Sequence, residues 1–146
     1  MYQQNLIAGW GDMDFNSHMR NTAYLDKSAD VRMMYFAENG FPMAEFVRLG
    51  LGPVVMKDEI EYFREFHLLD TVKITHALAG LSEDGSRFVM RNEFFRPDDQ
   101  LAARVASTAG WLDLKQRRLT VPPAALLAAL QKLERTADFR ELPSRR

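Results

Sequence analysis

The sequence of 146 residues contains no cysteine. That excludes a disulfide framework, a thiolate nucleophile and a cysteine-ligated zinc site. It fits a reducing compartment, and a cytoplasmic location is expected. Charge of neither sign dominates: 19 lysines and arginines stand against 20 aspartates and glutamates, for a net of −1. Binders of nucleic-acid backbones are normally basic, so no nucleic-acid partner is expected. Long hydrophobic runs are missing too. Nothing approaches the ~20 apolar residues of a membrane span, and no basic segment leads into an apolar core with a cleavage site, as in a signal peptide. Neither a membrane partner nor a leader is expected. The chain has no glycine-rich phosphate loop, no Gly-x-Ser-x-Gly nucleophile elbow, no internal repeat and no low-complexity tract. What it does have is 47% hydrophobic residues, enough for a real core, and a length that suits one domain. Residues 1–134 read as that domain. Residues 135–146, charged and carrying Pro143, read as a loose tail.

Tyr2 to Trp10 reads as a first strand. Thr22 to Asn39 reads as a helix, because Tyr24, Leu25, Ser28, Ala29, Val31, Tyr35 and Phe36 share one stripe at three- and four-residue spacing. Asp26, Lys27, Asp30 and Glu38 lie mostly off that stripe, and Gly40 is a natural stop. Such a helix is roughly 27 Å long and can cross several strands. Pro42 to Leu49 adds a short helix, and Gly50-Leu51-Gly52-Pro53 is a breaker cluster. Strands follow at Val54–Phe66, Asp70–Leu81, Arg87–Arg96 and Leu101–Leu114, with turn signals at Ser82-Glu83-Asp84-Gly85 and Pro97-Asp98-Asp99-Gln100. Gly80 and Gly85 read as turn glycines. Pro122-Pro123 opens a last short helix to about Leu133. Tight turns imply antiparallel pairing, and one long helix must cover one face of the sheet. The expectation is an α+β fold with a long helix wrapped by an antiparallel sheet of about five strands.

Between the first strand and the long helix lies Gly11-Asp12-Met13-Asp14-Phe15-Asn16-Ser17-His18-Met19-Arg20-Asn21, the densest polar stretch. Asp12, Asp14 and Asn16 occupy positions 1, 3 and 5 of a calcium loop. That loop needs glycine at position 6 and glutamate at position 12, where this chain has Ser17 and Ala23. His18 has no second histidine nearby for zinc, so no metal is expected. Two readings stay open on spacing alone. Asp, Asn and Ser before a helix are favoured caps and turn formers. Alternatively, a carboxylate facing the unpaired N–H groups of a helix start suits acyl transfer, because those N–H groups can hold an oxyanion. The carboxylate would then attack the carbonyl or activate a water.

The run Asp12-Met13-Asp14-Phe15-Asn16-Ser17-His18-Met19-Arg20-Asn21-Thr22-Ala23-Tyr24 resembles the Asp-x-Asp-x-x-x-His-Val-Asn-Asn-x-x-Tyr-like run of the hotdog-fold thioesterases. In particular it resembles the group with bacterial 4-hydroxybenzoyl-CoA thioesterase and the plant acyl-carrier-protein thioesterases. Glu61-Tyr62-Phe63-Arg64 with Leu69-Asp70, and Thr120-Val121-Pro122, extend the resemblance over roughly Leu6 to Leu130. The resemblance implies a hotdog fold, hydrolysis of acyl-CoA or acyl-carrier-protein thioesters, no cofactor, and a site at the interface of a homodimer or tetramer. It makes Asp14 the catalytic carboxylate and the backbone N–H of Asn21 the donor to the thioester carbonyl. Asn16 and His18 match active-site positions of the plant branch. Arg20 departs from the family's usual asparagine, either as a cation near Asp14 or as a solvated side chain.

Other residues carry two readings each. Tyr24 lies on the helix stripe, as core or as pocket lining; Trp10 and Phe15 flank the motif, as acyl contacts or as plain packing. Arg64, Arg87, Arg91, Arg96 and Arg104 are candidates for CoA phosphates or solvated surface residues; sequence does not choose among them, and Arg64 is taken as the substrate-binding candidate. His67 and His76 read as ordinary strand residues, and Met33, Met34 and Met56 as core filler. The alternative function is a non-catalytic acyl-thioester binder. A hotdog dehydratase fits poorly, since His18 sits too near Asp14 in sequence for that enzyme's carboxylate–histidine pair.

Overall fold

In the computed structural model, which describes residues 1–144, the longest helix is α1, Asn21–Glu38. Its buried positions come in adjacent pairs four residues apart: Ala23 and Tyr24, Lys27 and Ser28, Val31 and Arg32, Tyr35 and Phe36. Two cations and a serine therefore lie on the inner face, which is turned slightly from the stripe expected from apolar residues. Leu25, Ala29, Met33 and Met34 are only half buried.

The inner face of α1 lies on a sheet whose main path runs β1-β3-β4-β5-β2, from β1 (Tyr2–Ile7), β2 (Leu51–Tyr62), β3 (Thr71–Ser82), β4 (Arg87–Phe95) and β5 (Leu101–Asp113). All four of these pairings are antiparallel. This is the α+β arrangement that the element order implies. Around it sit α2 (Met43–Leu49), α3 (Ala124–Gln131), the short strand β6 (Arg118–Thr120) on β5, and β7 (Arg135–Leu142) on β3.

Three expectations need correction. The first strand ends at Ile7, and Trp10–Asp12 form one 3₁₀ turn in which the Asp12 carboxylate accepts the Gly9 N–H at 2.8 Å. The second strand starts at Leu51, inside the breaker cluster. Gly50, at φ 64°, ends α2, while Pro53 is tolerated because β2 is an edge strand whose outer N–H groups need no partner. The segment expected to be a loose tail is largely β7, parallel to β3 from Leu78 to Ser82. Its inward residues Thr136, Phe139 and Leu142 recur every three positions, not every two, so no strand alternation shows. Residues 145 and 146 of that tail lie outside the described residues.

The core falls into two apolar clusters. One gathers Tyr35, Phe36, Phe46, Phe88 and Trp111; the other Tyr24, Val31, Phe66, Ile74 and Phe94. Polar groups are buried as well. Arg32 donates to the Ser107 hydroxyl at 3.3 Å, and Ser107 donates to Asp58 at 2.6 Å. The Asn92 amide donates to His76 Nδ1 at 2.8 Å and to the Thr75 carbonyl at 3.1 Å. Among the described residues no helix is long and apolar enough to cross a membrane.

Candidate active site

The polar stretch folds into a tight loop closed on itself. Met13 and Met19 form an antiparallel bridge, and the Asp14 N–H donates to the His18 carbonyl at 2.8 Å. Ser17 turns the loop at φ 65°. Lys27 pins one end of the loop, its ammonium donating to the Ile7 carbonyl and to Asp12, both at 2.9 Å. Burial alone would raise the Asp12 carboxyl, but Lys27 and the Gly9 N–H outweigh it and hold Asp12 below the ordinary carboxylate range. The other end is pinned to the segment after β2: the Met19 N–H donates to the Phe66 carbonyl at 2.9 Å. That segment is in turn tied to the end of β1 by the Leu69 N–H on the Ala8 carbonyl, at 2.7 Å.

Within this loop the two aspartates differ. Asp12 is a structural turn residue bound to a lysine. Asp14 accepts the N–H of Asn16 at 2.8 Å and of His18 at 3.2 Å, both on Oδ1. Both bonds fall on one carboxylate oxygen, and Asp14 helps to line a cavity. Asp14 does not cap α1. The residue before the helix is Arg20, which makes no side-chain cap, and the first turn holds no acidic residue. The N–H groups of Asn21 and Thr22 thus stand at the helix start beyond the reach of the intrahelical ladder. Arg20 turns away from Asp14. Its guanidinium donates to the Gly11 carbonyl and to Thr22 Oγ1, and lies near Asp26.

A cavity of about 560 Å³ opens at this helix start. It is lined by Asp14, His18, Asn21, Tyr24, Arg64 and Arg96, by Met19, Tyr62 and Phe63 from the resembling runs, and by Glu65, which the sequence did not single out. The His18 imidazole meets Glu65 at 2.6 Å through Nε2, which leaves Nδ1 toward other partners. Tyr24 packs edge-on against Tyr62 at 5.2 Å. Burial, then the charges of Tyr62, Glu65 and Asp14, push the Tyr24 phenol up to about 12, so it stays protonated. The Tyr62 hydroxyl donates to the Asn21 carbonyl at 3.3 Å.

Six of the residues singled out in the sequence therefore line one cavity: Asp14, His18, Asn21, Tyr24, Arg64 and Arg96. Trp10 does not line it; it walls a second cavity of about 410 Å³ with Met13, Asp14, Ser17 and Leu68. Asn16 lines neither cavity and serves the loop through its N–H on Asp14. Phe15 is fully exposed and lines neither cavity. Glu65 was missed because it follows the alternating part of its strand. Only the pairing of two distant loops brings it to His18.

The arrangement combines a carboxylate, an imidazole–carboxylate pair and an uncapped helix start, which together can move protons and hold an oxyanion. Among solved structures, the chain is similar to a 1,4-dihydroxy-2-naphthoyl-CoA thioesterase from Synechocystis at 15% identity (TM-score 0.80, covering 90% of this chain and 96% of that one). It is also similar to a Staphylococcus aureus protein determined in complex with CoA, at 18% identity (TM-score 0.82, covering 94% and 88%). At such identities these likenesses establish the fold. The sequence pattern of the thioesterase-like superfamily matches residues 8–130, and the chain belongs to that superfamily.

Proposed function

We propose that this protein hydrolyses acyl-CoA or related acyl thioesters to the free acid and thiol, with Asp14 as the reacting carboxylate. One observation carries the reading: Asp14, the His18–Glu65 pair and the uncapped start of α1 line one cavity. In this reading the thioester carbonyl oxygen sits on the Asn21 N–H, where the helix dipole favours negative charge. Asp14 Oδ2 either takes a proton from the attacking water or adds to the carbonyl to give an anhydride that water opens. Both routes break the C–S bond and release a thiolate; the water oxygen enters the product acid in the first, and in the second it enters the acid or the Asp14 carboxylate according to which anhydride carbonyl it attacks. His18, its ring fixed by Glu65, delivers the proton that turns the thiolate into thiol. The chain works as a homo-oligomer, because β2 offers an unpaired edge and the α1 flank of Leu25, Ala29 and Met33 is only half covered.

The test is thiol release from a panel of acyl-CoAs, short, long and aromatic, by wild type and Asp14→Asn. The amide keeps the shape of the loop but can neither add to the carbonyl nor take the proton. Turnover is expected to fall about 10³-fold or more, as when a principal catalytic group is removed, with an unchanged circular-dichroism spectrum. An active Asp14→Asn variant would remove this mechanism. Saturable acyl-CoA binding without thiol release by the wild type would establish the binder instead.

A further inference from the structure

Asp14 lines two cavities, one on each side of the loop, and their linings differ in charge. The larger carries two arginines, Arg64 and Arg96, together with the Glu65 carboxylate that the His18 ring engages. The smaller carries Trp10, Met13, Leu68 and the Ser17 hydroxyl, with Asp14 as its one charged residue. A ligand reacting at Asp14 therefore meets cations on one side and an apolar wall on the other. Among the five arginines named as candidates from the sequence, most are already engaged or misplaced. Arg91 makes a double hydrogen bond to Asp138, and Arg104 is held by Glu93 and Glu61. Arg87 lines neither cavity. Among the described residues the Arg64 guanidinium has no side-chain partner, and Arg96 has only Asp98, at 3.7 Å, with a buried Nε that makes no hydrogen bond. Guanidinium groups pair phosphate oxygens in two-pronged fashion.

We propose that a thioester lies across Asp14 with its phosphate-bearing arm on Arg64 and Arg96 and an uncharged, apolar acyl group in the cavity of Trp10, Met13 and Leu68. This rests on the thioesterase reading for the reacting position, but the binding geometry is separable from turnover. An acyl group with a second carboxylate is disfavoured, since it would meet Asp14 and no cation in the smaller cavity.

The experiment uses thioethers, which bind but cannot be hydrolysed. Dissociation constants are measured by calorimetry for S-hexyl-CoA, S-hexyl-pantetheine and S-(3-carboxypropyl)-CoA with wild type, Arg64→Ala, Arg96→Ala and the control Arg87→Ala. S-hexyl-CoA is expected to bind wild type and Arg87→Ala alike. Each of the other two variants should weaken it about tenfold, the worth of one charge-assisted contact. The preference for S-hexyl-CoA over S-hexyl-pantetheine should shrink by the same factor. S-(3-carboxypropyl)-CoA should bind wild type about tenfold more weakly than the hexyl compound, and Leu68→Lys should narrow that gap. Unchanged affinities in both arginine variants, or equal binding of the carboxylated thioether, overturn the proposal. Absence of thiol release from true thioesters would instead overturn the hydrolytic reading and leave this one standing.

Discussion

Two histidines show how environment divides one residue type into two roles. His18 lines the cavity beside a carboxylate. His76 is wholly buried between the rings of Tyr2 and Tyr35, with Asn92 donating to its Nδ1. Burial, then the Arg32 cation, pushes the His76 imidazole down from 6.5 to about 3. Between those two values the unfolded chain takes up a proton on this residue and the folded one does not. Its contribution to stability is therefore full above about pH 6.5 and is lost as pH falls toward 3. The slope is up to about 1.4 kcal/mol per pH unit. His76→Asn should flatten the dependence of the urea midpoint on pH between 7 and 5.5. Identical slopes for variant and wild type would assign the acid loss to other groups. The motif set His18 apart from His76 in the sequence, but not their partners, because Glu65 and Asn92 lie far along the chain. The loop of Asp14 was legible for the opposite reason: its turn donors and the helix start that follows are contiguous in the chain.

At the scale of elements, the turn between β3 and β4 carries a close approach. Gly85 sits at φ 76°, and a side chain there would come within 2.8 Å of Leu127 and 2.9 Å of Pro122, at the start of α3. Gly85→Ala should destabilise the protein by about 1–3 kcal/mol, from the backbone penalty together with overpacking. The folded fraction should keep its activity, since the turn lines neither cavity. An unchanged urea midpoint would show that α3 yields freely. This turn was readable from Ser82 to Gly85 because its chemistry is local: Asp84 accepts the Ser86 N–H at 2.9 Å, and the Gly85 N–H reaches the Ser82 carbonyl at 3.0 Å. The long helix and the four strands after it were equally readable, through periodicity. β6 and β7 were not. The first is only three residues long. The second is highly charged, and those charges are engaged elsewhere, Asp138 by Arg91 and Arg135 over the Phe139 ring. The inner face of α1 was read too apolar because Lys27 and Arg32 are buried by partners far along the chain: the Ile7 carbonyl and Asp12 for one, Ser107 for the other.

At the scale of the molecule, one edge of the sheet is open. Among the described residues β2 pairs only with β5, and its residues Val55, Met56 and Tyr62 are 40%, 38% and 49% exposed. An edge of this length with apolar side chains is a template for a second strand. Sedimentation equilibrium at micromolar concentration should therefore give at least a dimer, and Val55→Lys should shift it toward monomer. A wild type that stays monomeric at all concentrations would sink the oligomeric reading. The start of α1 has a consequence of another kind. A serine or aspartate in place of Arg20 could cap the helix, and such caps stabilise by about 1 kcal/mol. The chain leaves that stabilisation unclaimed at a helix start that opens on the cavity of Asp14 and His18. Any ligand whose carbonyl oxygen or anion accepts those N–H groups serves as the missing cap. Binding and folding then share one free energy, and the occupied protein melts at a higher temperature than the empty one.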